Sequence, residues 1–167
     1  MGSYHATFKL MLLLGGIGKR ARRGFGSLQY RDFGSISEVV RELEEINSIL
    51  SRGVKMSIKE SSNSNTVLVR DITQGSTAYP RVKEIHLGRK GTLRVEGVLN
   101  RIGEASHRHG DNALGRINPR MASPAVATIL NVNRQFYPVV TRLTSLFPPS
   151  LKYDLARQDD FINGVLQ

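Results

Sequence analysis

The sequence predicts an α+β domain rather than a doubly wound parallel sheet, and three observations predict it. Residues 35–50 carry Val39, Val40, Leu43, Ile46, Ile49 and Leu50 at helical intervals. Residues 82–87 (VKEIHL) alternate as a strand does. Residues 125–132 and 136–143 are two further strand candidates, joined by a turn around residues 131–134. Helices and strands therefore interleave, with an antiparallel pair near the end.

Taken in order, residues 4–14 (YHATFKLMLLL) are strongly apolar. Periodicity leaves a buried helix and a buried strand both open. Leu and Met favour the helix, with Gly15 and Gly16 as its stop. A basic glycine-rich stretch follows, and residues 25–30 (FGSLQY) read as a short strand leaving it. Ser35 and Glu38 have capping-box spacing. Glu38, Glu42, Glu44 and Glu45 crowd the other positions of that helix, a solvated acidic face turned away from any polyanion. Residues 61–65 (SSNSN) are a polar break. Residues 55–78 show little pattern beyond a β-segment at 66–70, and read as a flexible insertion of the kind that carries contacts to a partner.

Tyr79-Pro80 opens a second region. Residues 92–106 look helical, with Leu93, Val95, Val98, Leu99 and Ile102 apolar, although Gly97 and Gly103 weaken the pattern. Residues 107–120 read as a polar loop. Pro138 argues for an edge position or a strand entrance. Pro148 and Pro149 stop the last strand, and residues 151–166 form a candidate closing helix. No internal repeat is visible.

The chain has 167 residues, enough for one domain with a proper core, and 40% of them are hydrophobic. Lys and Arg number 24 against 14 Asp and Glu, a formal charge of +10. That balance favours nucleic acid or another anionic surface as partner. The charge is uneven: Lys9, Lys19, Arg20, Arg22, Arg23 and Arg31 precede the first acid, Asp32. Cysteine is absent, so disulfides and thiol chemistry are excluded, which fits a cytoplasmic protein. The apolar run at residues 10–14 is too short to span a bilayer, and cations follow it instead of preceding it as in a signal peptide.

The stretch GGIGKRARRGFGS, residues 15–27, concentrates the chemistry. Five glycines allow unusual backbone angles and close approach, and four cations repel one another until an anion neutralises them. Exposed amides with clustered Arg suit a string of phosphates. The ATPase P-loop is excluded, because Leu13 and Arg20 stand where that pattern needs Gly and Ser or Thr. Gly16, Gly18 and Ala21 match a dinucleotide fingerprint, yet follow no clear strand of a βαβ unit. No D-x-D or H-D cluster points to a metal, and no cofactor is expected.

GGIGKRARRGFGSL resembles the glycine-rich signature of the RAMP superfamily of CRISPR-associated proteins. Within it, the likeness is to the family of first subunits of the Cmr (type III-B) effector complex. There an apolar, Leu-rich segment runs into GG-x-G-x-R-x-RRGFGS, and residues 11–27 reproduce that order. Lys19-Arg20 departs from it, replacing a small residue before the first arginine. YPRVKEIHLG (79–88) resembles that subunit's aromatic-Pro strand, and RMASP (120–124) its Arg-x-Ala-Ser-Pro approach to a strand. The family usually has two ferredoxin-like halves, of which this sequence resembles the second.

The resemblance implies a ferredoxin-like (RRM-like) antiparallel sheet with helices on one face and the glycine-rich loop at its side. It implies a non-catalytic subunit that holds guide or target RNA beside other Cmr subunits. A separately encoded leading half, or a second copy of this chain, would cover residues 4–14. The residues add a mechanism. Lys19, Arg20, Arg22 and Arg23, with Arg31, Arg108, Arg116 and Arg120, supply phosphate contacts, and backbone amides around Gly16 and Gly18 add donors. Such contacts are sequence-blind, which suits an assembly where base pairing reads the sequence. Phe25 or Tyr30 is a candidate for stacking on a base, although Phe between glycines more often packs beneath its loop. The alternative is a metal-independent CRISPR RNA-processing endoribonuclease of the same superfamily. His86, His107 or His109 would be its general acid/base, with Arg108 or Lys19 on the phosphorane. A third possibility is a scaffold whose basic loop binds an acidic protein.

Overall fold

The computed structural model describes residues 2–18, 20–50, 56–59, 64–70, 81–115, 121–144, 147 and 152–167. In chain order the elements are α1 (Ser3–Leu14), α2 (Ile36–Leu50), β1 (Met56–Lys59), β2 (Ser64–Arg70) and β3 (Val82–Gly88). They continue with α3 (Val95–Arg108), a 3₁₀ turn (Asn112–Leu114), β4 (Ala125–Val132), β5 (Gln135–Leu143) and α4 (Ala156–Leu166). The fold is α+β. One five-stranded sheet has the order β1-β2-β3-β5-β4, with every neighbouring pair antiparallel. Strands β3 and β4 therefore point the same way, with β5 between them and α3 in their connection.

Helices cover both faces of the sheet, not one as the resemblance implied. On one face α1 and α2 bury Leu13, Val39, Leu43 and Ile46 against Leu68, Ile85, Leu87, Leu130 and Val139. On the other, α3 and α4 bury Val98, Ile102, Phe161, Ile162 and Val165 against Ala125, Ala127, Ile129 and Val140. The two lists interleave along β4, as alternating side chains require. The physical reason was visible in AVATILNV: a strand covered on both sides reads as a nearly continuous apolar run.

The apolar first segment is a helix. It ends where Gly15 donates its N–H to the Met11 carbonyl at 2.9 Å. The glycine is needed for close approach, since a Cβ there would lie 2.5 Å from that oxygen, while its backbone is extended and not left-handed. At the start of α2, Ser35 Oγ accepts from Glu38 N–H at 3.3 Å. Glu38 returns a bond to the N–H of Gly34 instead of Ser35. The acidic face of α2 is not wholly solvated: Glu42 is buried, held by Lys9 at 2.6 Å and Arg31 at 3.1 Å. Burial opposes its ionisation, but Lys9 first, with Tyr30 and Arg31 after it, holds its pKa below the usual carboxylate value.

The irregular reading of residues 55–78 is corrected in part. Strands β1 and β2 come from this stretch and extend the sheet from β3; residues 60–63 and 71–80 lie outside the described residues. The β4–β5 turn places Asn133 and Arg134 at φ 47° and 61°, the paired positive angles of a tight hairpin. Pro138 is neither on an edge strand nor at a strand entrance, because β5 lies between β3 and β4 and begins at Gln135. Its ring nitrogen faces the same side as the Phe136 N–H, which bonds Thr92 beyond the last register pair between β3 and β5. The missing donor thus falls where β3 ends at Gly88. A Cβ on Gly88 would come within 2.7 Å of the proline ring.

Candidate nucleic-acid interface

After α1 the chain narrows to a neck where Gly16 bridges Ser27, with Ile17 N–H on the Gly26 carbonyl at 3.0 Å. Gly26 has φ 73°, and a Cβ there would lie 1.9 Å from the Ile17 oxygen. Gly24, at φ 81°, is buried against Leu99, Ile102 and Ile129, with no room for a side chain. Two of the five glycines are therefore demanded by both angle and contact. Gly18, at φ 108°, faces open space, so only its angle favours glycine.

Residues 25–30 do not form the expected strand. Instead, the segment from Arg22 to Phe33 runs beside β4 and satisfies its outer edge with a mixture of backbone and side-chain groups. Ala127 donates to the Arg22 carbonyl at 3.1 Å and accepts from Gly24 N–H at 2.8 Å. Ser27 Oγ accepts from Ile129 N–H at 3.0 Å. The Gln29 carboxamide accepts from Asn131 N–H and donates to the Asn131 carbonyl, both at 2.8 Å. Asn133 N–H reaches the Phe33 carbonyl at 2.8 Å. An edge strand with open donors invites pairing with another chain, and here it is closed. Sequence reasoning missed Ser27 and Gln29; their two-residue spacing, matching alternate positions of β4, was the available signal.

This attachment divides the loop's cations. Arg23 turns inward. Its guanidinium donates to the carbonyls of Ala125 at 3.1 Å and Leu114 at 3.3 Å, touches Ser123 Oγ, and lies 5.0 Å from the Phe161 ring centroid. Burial, and then the neighbouring Arg22 charge, lower its pKa from the ordinary arginine value. Arg22 is exposed and donates to the Ser123 carbonyl at 2.9 Å. Arg20 is exposed with its guanidinium 5.8 Å from the Phe25 ring centroid. Neither Arg20 nor Arg22 pairs with a carboxylate among the described residues.

The other predicted contacts are scattered. Arg31 pairs with Glu42 and, at 3.8 Å, with Glu38, so its charge is met inside the protein. Arg108 is exposed at the end of α3. Lys19, Arg116 and Arg120 lie outside the described residues. Tyr30 packs edge-on to Phe33 with Lys9 over its ring, and its hydroxyl is buried. Burial, followed by the Glu42 charge, raises its pKa.

Phe25 behaves differently from expectation. It is 45% exposed and does not pack beneath the loop. It lines a groove of about 350 Å³ between the loop's exit, the start of α3 and the β4–β5 hairpin.

The histidines do not converge on the loop. His86 sits on the α4 side of β3 with Nε2 3.1 Å from Glu84. His107 belongs to α3, not to a loop, and His109 caps that helix, 4.0 Å from Asp160. Glu84 is held down to about 2, by the His86 hydrogen bond first and by Arg142 and Lys83, against the opposing effect of burial. Arg142 links this cluster onward to Asp159. Compared with protein-family models, with curated proteins and with solved structures, the chain gives no match.

Proposed function

We propose that this chain is a non-catalytic RNA-holding subunit of a CRISPR ribonucleoprotein of the RAMP type, resembling the second half of the first Cmr subunit. The observation that carries the reading is the loop's polarity. Its inward arginine is fixed to backbone carbonyls, and its outward arginines face solvent with no carboxylate to neutralise them among the described residues. A mobile basic turn loses entropy when it grips an anion; a loop fastened along β4 has already lost much of it. Arg20 and Arg22 then meet phosphates of the strand.

The topology supports the same reading. β3, α3, β4, β5 and α4 follow the β-α-β-β-α order of a ferredoxin-like plan, and α3 and α4 share one face. Strand β2 flanks β3 on its free side. The second helix layer, α1 and α2, is an addition to that plan. Tyr4, Phe8 and Met11 form an exposed stripe on α1, and this stripe is the contact with a neighbouring subunit of the complex.

The deciding experiment is titration of labelled single-stranded RNA at several salt concentrations. Binding should weaken by about 0.7 log units per decade of salt for each phosphate contact, with at least two contacts. The RNA should emerge uncleaved, with or without magnesium. A flat salt response would remove RNA as the partner, and metal-free cleavage would restore the histidine nuclease.

A further inference from the structure

The groove beside the loop answers a question that phosphate contacts leave open: where the bases of a held strand go. Its walls are apolar, formed by Phe25, Val95, Leu99 and Phe136, and its volume of about 350 Å³ falls at the small end of ligand pockets. Asn131 lines it too. That residue's backbone is occupied by Gln29, while its side-chain carboxamide makes no hydrogen bond among the described residues, leaving a donor and an acceptor at the wall. The Arg20 guanidinium lies 5.8 Å from the ring centroid of Phe25, so a cation stands directly beside an apolar slot.

A nucleotide has the complementary form: a flat, weakly polar base joined through a sugar to one anionic phosphate. Resting on the RNA-holding reading above, we infer that the groove takes one base turned out from a single-stranded RNA. The base stacks on Phe25, the Asn131 carboxamide meets its edge, and Arg20 takes the adjoining phosphate. A stacked base tolerates any sequence, because every base offers a flat face.

The chain contains no tryptophan, which makes a direct test available. Phe25→Trp installs a single indole at the slot, which can be excited apart from the five tyrosines. Titration with a 12-nucleotide oligouridine RNA should quench its emission, while an abasic ribose-phosphate oligomer of equal length should bind about tenfold more weakly and leave the emission unchanged. Phe25→Leu should bind the oligouridine about tenfold more weakly with the salt slope retained, and Phe25→Trp should restore wild-type affinity. Circular dichroism melts should show both variants folded, since Phe25 is half-exposed. Equal binding of oligouridine and abasic oligomers, or unquenched indole emission from the Phe25→Trp variant on saturation with RNA, overturns the base slot while the phosphate-holding reading stands. Displacement of the strand by sub-millimolar AMP would place a free nucleotide in the groove and overturn the strand assignment. Failure of every oligomer to bind overturns both readings.

Discussion

Arg20 and Arg23 stand three residues apart on one loop and each lies near an aromatic ring, yet they differ in burial and in hydrogen bonding. Arg23 lies among carbonyls and against an aromatic ring, with burial lowering its pKa. Arg20 lies in solvent beside Phe25. The difference teaches that clustered arginines in a glycine-rich stretch divide between building a loop and using it. The sorting follows from where the chain meets β4: from the Arg22 carbonyl onward the backbone is tied to that strand, while Arg20 belongs to the turn before it.

The largest effect should come from the building side. Gly26→Ala puts a Cβ into the Ile17 carbonyl at a positive φ, and should cost about 3 kcal/mol in a denaturant melt. A wild-type midpoint would mean that the neck does not close as described. Arg23→Ala strips the donor from the Leu114 carbonyl and removes the contact with Phe161, for a loss of about 2 kcal/mol. Lys should not rescue it, because an ammonium lacks the planar fork that reaches two carbonyls at once.

A smaller effect belongs to a region remote from the loop and serves as its control. The Glu84 carboxyl is held down to about 2 in the folded chain. Its contribution is therefore complete above the ordinary carboxylate pKa of about 4.3 and disappears as pH falls through about 2. Thermal melts between pH 5 and pH 2 should show wild-type stability falling more steeply than that of Glu84→Gln, by on the order of 2 kcal/mol across the window. Parallel curves would mean that His86 and Arg142 do not favour the charged form.

The smallest stability effect should be at Arg20. Arg20→Ala should change stability by less than about 0.5 kcal/mol, since only a surface contact with Phe25 is lost. The same substitution should flatten the salt dependence of RNA binding by about one contact. A destabilisation as large as that of Arg23→Ala would erase the distinction between the two residues.

Much of the fold was legible from short-range pattern. The helices at α2 and α3, the strands β3 to β5 and the closing helix all carried periodicity or turn chemistry of their own. What was not legible depends on partners distant in sequence. Glu42 reads as a solvated helix position until Lys9 and Arg31 arrive from α1 and the following loop. Pro138 reads as an edge residue until the end of β3 removes its need for a donor. The loop's density of glycine and arginine announced an anion site, but nothing within it distinguished Arg20 from Arg23. That distinction is made by Leu114, Ser123 and Ala125, about a hundred residues away.

The most direct test of this division is arginine-selective labelling with phenylglyoxal, read by mass spectrometry on the free chain and on the chain saturated with single-stranded RNA. Arg20 and Arg22 should label readily when free and be protected by RNA, while Arg23 should resist labelling in both states. Full labelling of Arg20 and Arg22 in the presence of bound RNA, or ready labelling of Arg23 in the folded chain, would contradict the account.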